Sequence, residues 1–232
     1  MARDPAQDSA TPVAPDGDKP ERERIIAAFM ALLGDKQVEQ IGLAEIARAA
    51  GVSLSELRGQ FGSTLAILAA HVKETDRAVL AGTDDDMAEE PPRERLFDVL
   101  MRRLEVLAPQ KAAVRSLVRS AMRNPPLAFA LNGLSVRSQQ WMLTAADVDA
   151  AGPRGMVRAQ GLAVLFASVL RTWVDDDDPG LARTMATLDR ALARGQRWSG
   201  VLDGLSRIPQ CVGRSRRRRR RPDADDEETV AA

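Results

Sequence analysis

Apolar residues recur three and four positions apart along most of the chain, and no stretch alternates long enough to predict a strand. Ile25, Ile26, Phe29, Leu32 and Leu33 share one side of a first helix that can open at Pro20. Gly34 is placed to stop it, since glycine tolerates the left-handed cap conformation. Leu43 to Ala50 predicts a short second helix, with Gly42 at the cap and Glu45 set three residues on as a weakened capping box. Gly51-Val52-Ser53 reads as a turn and Leu54 to Gln60 as a third helix. Ser63 is a good N-cap for a fourth, which carries Leu65, Leu68, Val72, Val79 and Leu80 before Gly82.

Thr83 to Pro92 breaks this pattern. It is acidic and contains proline, so it predicts a linker. Beyond it, helices are expected at about 93–107, 110–123, 126–146, 154–174 and 179–194, with a last amphipathic stretch at about 196–208. The breaks fall at Pro109, Pro125-Pro126, Gly152-Pro153 and Asp175 to Gly180. The whole is an all-α chain: a disordered leader over 1–20, a helical module over 21–82, a linker over 83–92, a helical bundle over 93–208 and a charged tail over 209–232. The leader mixes four aspartates with four prolines and lacks the apolar stretch of a signal peptide. The tail sets six consecutive arginines, Arg216 to Arg221, before Asp223, Asp225, Asp226, Glu227 and Glu228.

Composition narrows the picture. Apolar residues make up 44% of the chain but only five Phe, three Trp and no Tyr are present, so the core is built from aliphatic side chains that suit helices. Lys plus Arg equals Asp plus Glu at 33 each, so bulk charge points to no polyanionic partner. Cys211 stands alone, which excludes an internal disulfide. The longest apolar run, Gly161 to Leu170, falls far short of the ~20 residues a membrane span needs, and a cytoplasmic location is expected. With no nucleophile–base pair, glycine-rich phosphate loop or metal-ligand cluster in the sequence, neither catalysis nor a cofactor or metal is expected. His71, the only histidine, is expected at a surface or between domains. Asp175 to Asp178 favours capping of a helix starting at Pro179 over a metal site.

The segment IGLAEIARAAGVSLSELRGQFGSTLAIL, Ile41 to Leu68, carries the strongest functional signal. Ile46 and Ala47 face inward, Ala50 and Gly51 are small enough for two helices to cross closely, and Val52 plugs the corner. Leu57 and Phe61 lock the third helix onto the first, leaving its other side for a major groove. A plain helical hairpin lacks this ordered small-small-apolar turn. The segment resembles the helix-turn-helix of the TetR family of transcriptional regulators, which implies a TetR-like fold: an N-terminal three-helix module plus a C-terminal helical bundle. The resemblance implies DNA contacts from Arg48, Ser53, Ser55, Arg58, Gln60 and Thr64. Where the family usually has tyrosine after Leu57 and lysine after Ser63, this chain has Arg58 and Thr64. A guanidinium pairs well with phosphate, and a backbone amide at a helix N-terminus can meet one. Local charge opposes strong binding: Glu21 to Ala81 holds seven basic and eight acidic residues. Glu56 lies in the recognition helix itself.

The same resemblance implies a small apolar ligand in the second half, for which Trp141, Met142, Leu162, Phe166 and Trp173 are candidate pocket residues. Ordinary core packing accounts for them equally well. It also implies a homodimer, through helices near 154–174 and 179–194 that carry Met156, Leu162, Leu165, Phe166, Val169, Leu181, Met185 and Leu188. Ser138 to Arg194 is similar, in its order of Trp, acidic turn, long apolar helix, Trp, aspartates and Leu-Asp-Arg, to the TetR-fold lipid-binding accessory family of ubiquinone biosynthesis. That second resemblance implies contact with a membrane surface through 196–221, where Trp198, Val201, Leu202, Leu205 and Ile208 form a stripe. Packing of the stripe on its own domain or a partner subunit is the favoured reading, since Gly200 and Gly204 weaken a free helix.

Overall fold

Caps written into the sequence set most helix boundaries. α1 (Glu21–Asp35) follows Pro20 and places Glu21 and Glu23 in its first turn, where the helix dipole favours acids. α2 (Leu43–Ala50) ends on Gly51, whose φ of 64° is the left-handed conformation the turn requires. α3 (Leu54–Gln60) is capped by Ser53, and α4 (Thr64–Ala81) by Ser63, whose Oγ accepts from the Ala66 amide at 3.1 Å. α5 (Pro92–Leu107) has proline at its first position. α6 (Lys111–Arg123) is followed by Asn124, which caps α7 (Pro125–Ala145) by accepting from the Leu127 amide at 3.1 Å. α8 (Gly152–Trp173) and α9 (Ala182–Leu205) follow as the last α-helices among the described residues. The computed structural model describes residues 20–82, 87 and 89–205, with side chains through Gly195. The leader, the tail and the side chains of the 196–208 stripe, on which the membrane reading rests, lie outside the described residues.

Among the described residues there is no strand, and no helix is long and apolar enough to cross a membrane. Two boundaries differ from expectation. Gly34 does not stop α1, which runs one residue further and closes with the Lys36 amide on Leu32. α9 starts at Ala182, not Pro179, after Leu181 takes a φ of 50°, and it runs on to Leu205, into the stretch expected as a separate last helix. Glu45 accepts from the Gly42 backbone at the start of α2, as the weakened capping box expects, and also pairs with Lys36 Nζ at 2.5 Å.

The described residues through Gly195 pack as one unit around two apolar clusters. The first joins Ile25, Phe29, Leu33, Ile46, Leu57, Phe61 and Ile67 of α1 to α4, and extends to Ala113 and Leu117 of α6. The second gathers Leu100, Leu104, Met142, Phe166, Val169, Trp173 and Leu188 with Val79 of α4. Helices from both sides of the 83–92 segment therefore share each core. The acidic loop after α8 is a staple. Asp178 accepts from the Gly180 and Ala182 amides, and Asp176 accepts from the Thr184 amide at 2.9 Å and hydroxyl at 2.6 Å. Lys111 Nζ of α6 reaches the Asp176 carbonyl at 2.5 Å, and Arg115 binds the Val174 carbonyl. These bonds confirm a capping use of the aspartates, though at a helix start three residues later than the sequence suggested.

One glycine is sterically compulsory. A Cβ on Gly155, in the first turn of α8, would sit 2.0 Å from the carbonyl carbon and oxygen of Ala150. The chain folds back on itself there with no room for a methyl group.

Candidate nucleic-acid interface and ligand cavity

α2, the Gly51 turn and α3 form the compact angle that the sequence predicts. The Val52 amide donates to the Ala47 carbonyl at 3.0 Å, while Ile46, Ala47, Ala50 and Leu57 are buried. Arg48, Ser53, Ser55, Arg58 and Gln60 are all exposed, and Thr64 is half-buried at the first position of α4. The Arg58 guanidinium lies beside Gly62, where a Cβ would be 3.6 Å from Nη1. Arg58 and the N-terminus of α4 are thus side by side, a cation next to the outward amides of a helix end. Both features attract a phosphate oxygen.

Glu56 is exposed, but its carboxylate is held in place. It forms a capping box: Ser53 Oγ accepts from the Glu56 amide at 3.1 Å, and Glu56 Oε2 accepts from the Ser53 amide at 2.6 Å. The Ser53 backbone bond holds the Glu56 carboxyl below the usual carboxylate range. The spacing Ser53-x-x-Glu56 was readable in the sequence as this motif, which was assigned to Gly42 and Glu45 instead. Of the other acids in the module, Asp76 is buried on α4, Glu45 is paired with Lys36, and Glu39 binds Asn124.

The second site is a cavity of about 480 Å³. Its walls are Met30 of α1, Leu68, His71, Val72 and Thr75 of α4, Arg103 and Leu107 of α5, and apolar residues of α6, α7 and α8. That volume suits a drug-sized ligand. Of the five pocket residues proposed from the sequence, only Phe166 lines it. Trp141 is 58% exposed, while Met142, Leu162 and Trp173 are buried core that does not reach the cavity wall. The error has a physical source: large side chains fill space, and the void forms where α6 and α7 present Ala121, Ala128 and Ser135. Of the two positions expected for His71, the structure has the inner one, between α4 and the helices that follow the 83–92 segment. His71 is buried against the cavity, and desolvation, aided by the nearby Arg103 charge, pushes its pKa down.

A buried ion pair crosses this region. Arg103 Nη1 donates to Asp76, and Ser138 Oγ of α7 donates to the same carboxylate oxygen at 2.6 Å. The Arg103 guanidinium also lies 5.6 Å from the centre of the Phe166 ring. Nothing in the hydropathy pattern marks Asp76 or Arg103 as buried partners, because they are 27 residues apart on different helices.

With both sites described, the structural relatives can be weighed. A TetR transcriptional regulator from Nitrosomonas europaea superposes with a TM-score of 0.60 at 22% identity, covering 77% of this chain and 99% of its own. One from Rhodococcus sp. RHA1 gives a TM-score of 0.55 at 20% identity, covering 75% and 95%. The fold is that of the TetR regulators. No protein-family model matches the chain, and no curated protein matches it significantly. The all-α, TetR-like architecture read from Ile41 to Leu68 is thereby the architecture observed.

Proposed function

We propose that this TetR-fold chain is a DNA-binding transcriptional regulator acting in the cytoplasm as a homodimer, controlled by a small apolar ligand in the cavity. The observation that carries this reading is that one helix serves both sites. The N-terminus of α4 lies beside Arg58 of α3, and within its next three turns Leu68, His71, Val72 and Thr75 wall the cavity. A ligand that fits one setting of α4 better than another shifts the population toward that setting. In a dimer, the shift changes the separation of two recognition helices, which must match about one turn of DNA, ~34 Å.

Fewer of the apolar residues expected at a dimer surface are exposed than the sequence suggested. Leu162, Phe166, Val169 and Leu188 are buried within the protomer, leaving Met156, Val157 and Val164 of α8 and Met185 of α9 exposed. We assign the interface to that face. Sedimentation at low micromolar concentration should show a dimer, and a lone monomer would overturn the assignment. Recovery of DNA bound to the protein in cells should yield a discrete set of sites, and enrichment no better than background would overturn the regulatory reading.

A further inference from the structure

Three side chains that line this apolar cavity each carry a polar atom with no hydrogen-bond partner within the protein: Nε2 of His71, Nε of Arg103 and Oε1 of Gln139. Each belongs to a side chain more than nine-tenths buried. They come from α4, α5 and α7, and they gather around one ion pair. Arg103 is bound to Asp76; Ser138, the neighbour of Gln139, donates to that same carboxylate; and Thr75, one turn after His71, donates its hydroxyl to the His71 carbonyl at 3.0 Å. A buried polar group left unmade is costly, and native interiors avoid it. Three on side chains that wall one void are candidate bonding positions for a bound molecule.

We infer that this polar corner receives an uncharged hydrogen-bonding head group, a hydroxyl or carbonyl, on a ligand whose remaining body is apolar. The inference rests on the cavity being a ligand site. Charge decides the class. Asp76 already balances Arg103, so a ligand carboxylate would leave an unmatched negative charge among apolar walls, and an ammonium would face the guanidinium. The other cation among the described lining residues, Arg171, is exposed at the rim. The three atoms also match a neutral group in kind. Arg103 Nε–H donates, Gln139 Oε1 accepts, and the imidazole nitrogen does either according to its tautomer. A hydroxyl both donates and accepts. The body of the ligand then meets Leu107, Val114, Leu117, Val118, Leu131 and Leu134.

Three probes that share one chain and differ in head group test this: decanol, decanoate and decylammonium, titrated calorimetrically into the full-length protein at neutral pH. Decanol should bind at least about tenfold tighter than either ion, the equivalent of roughly 1.4 kcal/mol. His71→Phe and Gln139→Leu should each weaken decanol several-fold, and Leu131→Trp, which fills the void, should abolish its binding. The ranking of the three probes on the unaltered protein needs no variant to fold. Decanoate or decylammonium binding as tightly as decanol, and blocked by Leu131→Trp, would overturn the head-group class while leaving the cavity as a ligand site. Binding of no probe, or binding indifferent to Leu131→Trp, would overturn both.

Discussion

Replacing Asp76 with alanine strands the Arg103 guanidinium in the interior. Both side chains are about nine-tenths buried, Arg103 Nε already lacks a partner, and Ser138 Oγ would lose its acceptor as well. Removing one member of a buried pair costs about 3–5 kcal/mol, because the remaining charge is uncompensated. For a folded unit of this size, each kcal/mol lowers Tm by roughly 2–4 °C, so Asp76→Ala should lower it by roughly 6–20 °C. Calorimetry or urea denaturation followed by circular dichroism measures this. The double variant Asp76→Leu with Arg103→Met should recover most of the loss, since replacing a whole buried pair by apolar residues is often neutral. A loss below about 1 kcal/mol in the single variant, or a double variant no better than the single, would refute the buried-pair account.

Arg58→Ala should weaken DNA binding and reduce the slope of log affinity against log salt by about one phosphate contact, measured by fluorescence anisotropy over a salt series; an unchanged slope would remove Arg58 from the interface. Gly155→Ala forces a methyl group against the Ala150 backbone, so it should destabilise by about 1–3 kcal/mol or more in urea denaturation, whereas Gly133→Ala, with open space around its Cβ, should be neutral or stabilising. Burial holds the His71 pKa down, so as pH falls below ~6.5 the unfolded chain takes up a proton that the folded chain resists, and stability should decline. Glu74, pushed up by burial and by Glu23, works in the opposite direction, so the informative quantity is the difference between wild type and His71→Phe. Read from urea midpoints between roughly pH 8 and 5, the stability of wild type relative to His71→Phe should fall on acidification, whichever protein is the more stable at high pH.

Short-range features of this chain were legible because they rest on neighbours in sequence. The 3.6-residue apolar period gave the helices, Gly51 gave the turn, and Ser63 gave the start of α4. The order Ala50-Gly51-Val52 with Leu57 and Phe61 was enough to place the helix-turn-helix. What escaped depends on contacts between distant residues. Asp76 and Arg103 carry no local mark of their pairing, since nothing near either in sequence shows that α5 brings a cation onto α4. For His71 the sequence left a surface and an interdomain position open, because its helix carries apolar residues on several sides; which side faces the cavity is settled by α6 and α7. The pocket was misplaced for a related reason: aromatic residues advertise themselves in a sequence, but a void is a shortage of atoms, and small residues such as Ala121 and Ala128 mark it only after packing is known. The capping box of α3 was legible from sequence alone as Ser53-x-x-Glu56, because it too rests on neighbours three residues apart.

Selection of bound sequences from a random pool of double-stranded DNA, using the purified full-length protein, tests the central claim most directly. The account predicts enrichment of an inverted repeat whose half-sites are centred about one helical turn, or a multiple of it, apart. That enrichment should be lost with Arg58→Ala and changed by a ligand that fills the cavity. A pool that emerges with no enriched sequence, while the protein remains folded and dimeric, would contradict the assignment of this fold to DNA-binding regulation.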